Sequence, residues 1–425
     1  MASRIKTNAE KYIVCPFCSL HCDDILSKSD GKKYSISSEA SKVSEANKTC
    51  LKKIESFNIN AKSILTPTIK NKKANLSSAL KYTRQILKKQ KDAIIVNHGI
   101  DVSGVRSMLN FALNYNCSID HINSKFLYQN IGIVQRTGYM ATSLTETKNR
   151  GDVIIVFGNN ILCKTPRLIE KVLIPSNSLC TNAKNKKIIF IGEFPDKLLK
   201  NLSKKYNISY IKTKIDYIPD LLNLLSDIDS IKIPNISKVL VTKIKSIISK
   251  SKYLVATWSA SDFINSKNPD KIIQAISQFI LDRNKISRAA CMPISGSLGD
   301  TTSSQTLTWL TGFPSRIKYA HGSFVHDRNI YNNEIIIDKK NTDVVIHISS
   351  LSPNKIKINE NLKNIFIGHP NSKFTSQPDV FIPVGIPGID YEGIMFRTDN
   401  VVSVALKKIR AINLPTTKEI LDELA

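Results

Sequence analysis

The clearest structural signal in the chain is the apolar run Asp152-Val153-Ile154-Ile155-Val156-Phe157-Gly158. A run that lacks polar alternation and ends at a glycine is typical of a parallel strand whose two faces are both covered. Similar short runs recur at Ala93–Val96, Ile188–Gly192, Ile208–Ile211, Tyr253–Thr257, Asp343–Ile348, Ile365–Gly368 and Val380–Pro383. A shorter strand is predicted at Tyr34–Ser37.

Segments with helical spacing of apolar residues lie between several of these runs. They are Leu76–Leu87, Val102–Tyr115, Ile218–Ile228, Val239–Ile248 and Pro269–Leu281. This alternation predicts an α/β fold with open parallel sheets in two lobes. Ligands of such sheets bind at the carboxyl ends of strands, which directs attention to three turns. They are Asn97-His98-Gly99, Gly158-Asn159-Asn160 and Gly192-Glu193.

The 425 residues are too many for one small core and suit two or three domains. We predict a small Cys-rich cap over residues 1–60. Residues 61–150 together with 335–425 form a first α/β lobe, and residues 151–334 form a second lobe. Within the second lobe, residues 291–333 are rich in Gly, Ser and Thr, which predicts an irregular segment. Such a segment either faces a ligand or is a surface excursion.

Four cysteines in the cap are spaced as C-x2-C-x3-C-x27-C, at Cys15, Cys18, Cys22 and Cys50. Three of them fall within eight residues. A four-iron four-sulfur cluster takes one thiolate per iron, and this spacing favours it. Structural zinc usually joins two short C-x2-C knuckles, so zinc is the weaker interpretation. Chance placement of the cysteines in a loop is the third interpretation.

The formal net charge is +26 at pH 7. An anionic partner would explain this charge. However, the lysines are scattered and form no basic stripe interleaved with aromatic residues. Compositional bias therefore explains most of the charge, and a nucleic-acid-binding function is disfavoured. No apolar run is long enough to cross a membrane. The start, from Met1 to Lys6, is polar, and the remaining cysteines stand singly, so we expect a cytoplasmic protein.

Four segments carry a resemblance to a known family. They are Cys15–Asp24, Gln135–Ile154, Trp309–Pro314 and Gly388–Asp399. Their order and spacing resemble the molybdopterin oxidoreductases, and more closely the B-type subunits of formylmethanofuran dehydrogenase. The resemblance covers most of the chain. It implies a molybdopterin-oxidoreductase-like fold with the Cys-rich cap at its head.

The chain departs from that family where the redox metal is bound. The resemblance implies a Cys-His pair about ten residues before the segment that starts at Gln135, and this chain has Phe126 and Leu127 there. A phenyl ring cannot replace the thiolate that ligates molybdenum or tungsten. His321-Gly322 stands where the family has an Arg-Gly pair, and Leu144-Thr145 stands where the family has Leu-Gly.

These departures imply a subunit that has lost its redox chemistry. The resemblance then points to the B-type subunits of the formyltransferase/hydrolase complex, in the formaldehyde-to-formate metabolism of methylotrophs. By the same resemblance, the partners are A-, C- and D-type subunits, and the complex handles a methanofuran-type cofactor with a polyglutamate tail. We expect no catalytic or cofactor-binding residues in this chain and no molybdenum or tungsten pterin. Cys15, Cys18, Cys22 and Cys50 are the expected metal ligands, with the cluster either retained or lost.

Two other functions remain open at this point. An active formylmethanofuran dehydrogenase subunit, with a water or oxide ligand in place of cysteine, is favoured by the intact cysteine quartet, because an electron-transfer cluster is useful only if electrons move. A zinc-containing nucleic-acid-binding protein is suggested by the charge and the cysteines. The long α/β body and the missing basic stripe argue against it.

Overall fold

The structure is a computed structural model that describes residues 11–29, 34–37, 50, 58–61, 63–228, 233–295, 297–339, 341–353 and 355–425. The strands are β1 (Lys11–Ile13), β2 (Ile25–Ser29), β3 (Tyr34–Ser37), β4 (Thr68–Ile69), β5 (Lys72–Lys73), β6 (Ala93–Asn97), β7 (Ser118–His121), β8 (Val153–Phe157), β9 (Lys187–Gly192), β10 (Ile208–Lys212), β11 (Tyr253–Ser259), β12 (Arg288–Ile294), β13 (Ile317–Ala320), β14 (Ser323–His326), β15 (Val344–Ser349), β16 (Lys355–Ile356), β17 (Lys363–Gly368), β18 (Lys373–Phe374), β19 (Val380–Pro383), β20 (Gly393–Phe396) and β21 (Ser403–Leu406).

The α-helices are α1 (Leu76–Lys89), α2 (Val102–Asn114), α3 (Ser124–Arg136), α4 (Leu144–Arg150), α5 (Asn160–Lys164), α6 (Asp196–Ser203), α7 (Ile218–Leu225), α8 (Lys238–Ser249), α9 (Pro269–Arg283), α10 (Asp300–Thr311), α11 (Asn333–Asp338) and α12 (Thr417–Leu424). No helix among the described residues is long and apolar enough to span a membrane.

The chain divides into two compact units. Unit 1 comprises Met1–Ser124 and Ser297–Ala425, and unit 2 comprises Lys125–Gly296. Unit 1 contains a mixed sheet in the order β14-β13-β7-β6-β15-β17-β19-β4-β5. Its five central strands, from β7 to β19, run parallel, and the outer strands at both ends are antiparallel.

Unit 2 contains a fully parallel sheet in the order β10-β9-β8-β11-β12. All five residues of β8 and all seven of β11 are buried, as expected for strands with helices on both faces. The predicted α/β architecture with open parallel sheets in two lobes is therefore confirmed. The antiparallel strands at the edges of the unit 1 sheet were not predicted from the sequence, because β4, β5, β13 and β14 are short and lack a continuous apolar run.

The unit boundaries differ from the predicted lobe boundaries at 150/151 and 334/335. Phe126 and Ile133 of α3 are buried in the core of unit 2, which places the segment after Ser124 there. Leu307 and Ile317 are buried in the core of unit 1, which places the segment after 296 there. The chain therefore passes from one unit to the other where its side chains begin to pack in a different core. The periodicity of apolar residues in strands and helices does not reveal this change.

The prediction of an irregular segment over 291–333 is wrong for most of its length. The segment contains the end of β12, helix α10 and the β13–β14 hairpin. Helix α10 is rich in hydroxyl residues, and three of them, Thr306, Thr308 and Thr311, donate to carbonyls one turn earlier. Left-handed glycines stand at both ends of the helix. Hydroxyl groups that bond back to their own helix in this way allow a helix without an apolar stripe, so the sequence pattern did not show it.

The two tryptophans of the chain lie in different units and different environments. Trp258, in β11, is fully buried in the core of unit 2 and donates from Nε1 to Asn130. Trp309, in α10 of unit 1, is 64% exposed and packs edge-on against Phe396.

Candidate functional site

The predicted metal ligands lie on a loop between β1 and β2, with Cys50 returning from later in the chain. The amide of Cys15 donates to the carbonyl of Cys22 at 2.8 Å, and the amide of His21 donates to that of Cys18 at 3.1 Å. His21 has a φ of +46°, which lets the backbone reverse direction inside the motif. These bonds draw three of the cysteines into one tight turn.

The other three thiols of the motif act electrostatically on Cys15. Desolvation raises the pKa of Cys15 well above its usual value, and the neighbouring thiols of Cys18, Cys22 and Cys50 raise it further. Within the described residues, no three His, Cys, Asp or Glu side chains are placed to hold a single metal ion. A single zinc ion needs its sulfurs about 2.3 Å from one centre. A four-iron four-sulfur cluster binds each thiolate through a separate iron, so its four sulfurs need not surround one centre.

The cysteine loop rests on the C-terminal part of unit 1. Thr398 donates its amide to the carbonyl of Ser19 at 2.9 Å. A Cβ added to Gly388 would lie 3.2 Å from the Pro16 side chain, so the backbone approaches the loop closely there. Both partners belong to the Gly388–Asp399 segment that carried part of the sequence resemblance. That segment therefore supports the cysteine loop.

Phe126 is buried at the position where the sequence resemblance implies a metal-binding thiolate. It packs in the apolar core of unit 2. The ammonium groups of Lys125 and Lys164 each lie 5.5 Å from its ring centroid. The phenyl ring has no lone pair for a metal, and its face is already in contact range of cations. Leu127 beside it is partly exposed and equally lacks a donor atom.

At the carboxyl end of the unit 2 sheet, the turn after β8 is covered by a carboxylate. Gly158 has a φ of +79°, and a Cβ built on it would lie within 2.7 Å of three side-chain atoms of Asp262. The amide of Asn160 donates to Asp262 Oδ1 at 2.6 Å. Burial raises the pKa of Asp262 to about 6, and the amides of Asn160, Ser259 and Asn159 and the charge of Lys164 act against that rise. The sequence prediction singled out Gly158 but missed Asp262.

At the carboxyl end of the unit 1 sheet, the turn after β6 is covered by backbone. Gly99 has a φ of +120°, and a Cβ on it would lie 2.6 Å from the carbonyl oxygen of Leu298. The amide of Gly99 donates to Asn97 Oδ1 at 2.8 Å, and Asn97 Nδ2 donates to Ser303 Oγ at 3.0 Å. The segment leading into α10 therefore lies directly on this turn.

Buried histidines surround the same end of the unit 1 sheet. His98 Nε2 and His347 Nδ1 are 3.1 Å apart. Burial lowers the pKa of His347 to about 4, and burial together with His347 and His121 lowers the pKa of His98 well below its usual value. Both rings line a cleft of ≈ 890 Å³, whose rim includes Lys355 and Glu334. Uncharged imidazoles facing a cleft can donate or accept hydrogen bonds but carry no charge at neutral pH.

The remaining predicted positions have structural roles. His321 and Gly322 form the tight turn between β13 and β14, with φ values of +54° and +80°. His326 Nδ1 lies 3.0 Å from the carbonyls of Ser315 and Arg316. Leu144 is buried at the first turn of α4.

No protein-family model matches the chain. It is 21% identical over 414 residues to the B subunit of the tungsten-containing formylmethanofuran dehydrogenase 2 of Methanococcus maripaludis, covering 94% of each chain. It is 19% identical over 421 residues to the protein of the same name from Methanocaldococcus jannaschii, covering 93% of each.

The chain resembles these formylmethanofuran dehydrogenase subunits along almost its whole length. Among solved structures, it is similar to a chain of the formyltransferase/hydrolase complex (FhcABCD) of Methylorubrum extorquens, determined with methylofuran. The TM-score is 0.68 at 16% identity, over 84% of this chain and 97% of that chain. These findings confirm the resemblance predicted from the four segments, and the structural similarity confirms the fold.

Proposed function

We propose that the chain is a B-type subunit of a formyltransferase/hydrolase complex, acting in one-carbon metabolism between formaldehyde and formate. Its role there is structural, and it carries no dehydrogenase activity of its own. The full-length resemblance to the archaeal subunits and the similarity to a chain of the bacterial complex both support this function. The partners are then A-, C- and D-type subunits, and the complex uses a methanofuran-type cofactor. The proposed compartment is the cytoplasm.

The observation that carries the structural role is the burial of Phe126. The archaeal relatives contain tungsten by name, and a protein ligand to tungsten needs an ionised soft donor. Phe126 offers none and is packed in the core of unit 2, with two ammonium groups each 5.5 Å from its ring centroid. The residues at this position therefore do not fit a tungsten or molybdenum pterin, and no redox step is assigned to the chain.

The cysteine quartet does fit a four-iron four-sulfur cluster, which we propose that Cys15, Cys18, Cys22 and Cys50 hold. Such a cluster supplies one-electron transfer when it serves a redox enzyme. In a subunit without redox chemistry, the four thiolates would instead tie Cys50 to the loop of residues 15–22. A bound cluster stabilises a short segment that has little core of its own.

Elemental analysis of the complex tests the structural role. The chain is co-expressed with A-, C- and D-type subunits, purified as a complex without oxygen, and analysed for iron, tungsten and molybdenum. We expect co-purification of all subunits and no stoichiometric tungsten or molybdenum. Stoichiometric tungsten or molybdenum would contradict the proposal. It would favour an active dehydrogenase subunit, which is the alternative function that the intact cysteine quartet supports.

A paired substitution tests the cluster separately. Cys50→Ser removes one of the four ligands, whereas Cys180→Ser removes an exposed cysteine of unit 2 and serves as the matched control. We expect about four iron atoms per chain, with broad visible absorbance, in the wild type and in C180S, and loss of both in C50S. A colourless wild-type protein without iron would refute the cluster and leave the structural role intact.

A further inference from the structure

The parallel sheet of unit 2 has a topological switch point between β8 and β11. From β8, the sheet continues through β9 and β10 on one side, and through β11 and β12 on the other. At such a point the connections leave in opposite directions and open a crevice at the carboxyl ends of the strands. A diphosphate bound there would approach the glycine turn after the first strand, where free backbone amides point outward. In unit 2 that turn is Gly158-Asn159-Asn160.

Asp262 already holds this position. Its Oδ1 accepts from the amide of Asn160 at 2.6 Å, and the amides of Asn159 and Ser259 also lower its pKa as hydrogen-bond donors. Lys164 adds a positive charge beside the same carboxylate. The outward-facing amides of the turn and the nearby cation are the groups that would otherwise stabilise a phosphate. They are directed at an anion that belongs to the protein.

The fit leaves no room for a second anion. Because a Cβ at Gly158 would lie within 2.7 Å of the Asp262 side chain, the carboxylate sits directly against the Gly158 backbone. Asp262 Oδ2 makes no hydrogen bond within the part of the chain that the structure describes, and it is buried. A phosphate entering here would meet a like charge at close range, which disfavours its binding.

We propose that the Asp262 carboxylate replaces the phosphate of a dinucleotide at the switch point of unit 2, so that this unit excludes diphosphate ligands. The biological meaning of this inference rests on the proposed function, in which the chain has lost the pterin group. Phe126 provides no metal ligand, and Asp262 occupies the glycine turn against which a diphosphate would be held. Both residues belong to unit 2.

The inference predicts that removing one side chain opens an anion site. Asp262→Ser removes the carboxylate and leaves a small side chain, so the amides of Asn159 and Asn160 and the charge of Lys164 become available. We expect Asp262→Ser to bind inorganic pyrophosphate at least about tenfold more tightly than the wild type by isothermal titration calorimetry. Adding Lys164→Met to this variant should abolish most of the gain, which places the new site beside Lys164.

The control is Asp270→Ser, which removes an exposed carboxylate of the same unit. It should bind pyrophosphate as weakly as the wild type. If Asp262→Ser does not fold, Asp262→Asn is tested instead, because it keeps the shape of the side chain and removes its charge. We expect it to give a smaller gain in pyrophosphate affinity. The inference is overturned if both Asp262 variants bind no better than the wild type, or if the wild type already binds as tightly as they do. That outcome leaves the subunit role standing, whereas stoichiometric tungsten in the complex would refute the role itself.

Discussion

The turns after β6 and β8 occupy the same place in their respective sheets, but they are covered by different parts of the chain. In unit 1, Gly99 lies under the backbone carbonyl of Leu298. In unit 2, Gly158 lies under the side chain of Asp262. A turn covered by backbone can be uncovered only by rerouting the chain, whereas a turn covered by a carboxylate is one substitution away from being open. The turn in unit 1 is therefore closed by the course of the backbone, whereas the turn in unit 2 is closed by a single side chain.

The largest expected effect comes from Gly99→Ala. A left-handed φ of +120° is unfavourable for alanine, and the added Cβ would lie 2.6 Å from a backbone oxygen that no side-chain substitution can remove. We expect a loss of about 3 kcal/mol or more in the free energy of unfolding. Urea denaturation followed by circular dichroism measures it. Leu298→Ala in the same chain should give no rescue, and a rescue would contradict the backbone contact.

Acid should distinguish the units next. All seven histidines lie in unit 1, and unit 2 has none. Burial lowers the pKa of His347 to about 4, of His21 to about 4 and of His369 to about 3. Between these values and 6.5 the unfolded chain binds more protons than the folded chain. Stability should therefore fall as the pH drops from 6.5 towards 4.

The expected loss is roughly 2 kcal/mol for His347 alone between pH 7.5 and pH 5.0. Denaturation curves at pH 7.5, 6.0 and 5.0 measure it, and His347→Gln should flatten the dependence. Asp262 in unit 2 acts with the opposite sign. Its folded pKa of about 6 lies above the usual value of 3.8, so its burial costs stability above pH 6 and this cost disappears as the pH falls. A chain whose stability does not change between pH 7.5 and 5.0 would refute the histidine contribution.

Gly158→Ala should have an intermediate effect, of about 2 kcal/mol. Part of it comes from the φ of +79° and part from the Asp262 side chain. Combining it with Asp262→Gly in a double-mutant cycle should recover the second part, about 1 kcal/mol. Additive losses would mean that the side chain does not cover the turn, which would contradict the comparison of the two units.

The smallest expected effect is at a helix cap of unit 2. Ser143 accepts from the amide of Glu146 at 3.0 Å at the start of α4. Ser143→Ala should cost about 1 kcal/mol, and Ser143→Asp should restore most of it. The same measurement on Thr416→Ala, in the capping box of α12 in unit 1, gives the matched value. A much larger loss in one of the two would mean that the cap holds more than its own helix.

The sequence predicted the strands well because buried parallel strands need continuous apolar runs, as in Val153–Phe157 and Val344–Ser349. It did not predict α10, in which the buried hydroxyls of Ser304 and Thr306 donate to carbonyls of the same helix. The cysteine motif was visible because three of its four cysteines fall within eight residues. Asp262 was not visible, because a carboxylate after Ser259-Ala260-Ser261 resembles an ordinary solvated loop residue until the fold sets it against Gly158. Contacts between distant segments leave no local pattern.

Because the two tryptophans lie in different units, their intrinsic fluorescence can report on each unit separately. Trp258 emits from a dry environment in unit 2, and Trp309 emits from a largely hydrated one in unit 1. Their spectra should therefore differ in wavelength, and replacing either ring with phenylalanine isolates the other signal. Loss of order in one unit can then be timed against loss of order in the other without attaching a dye.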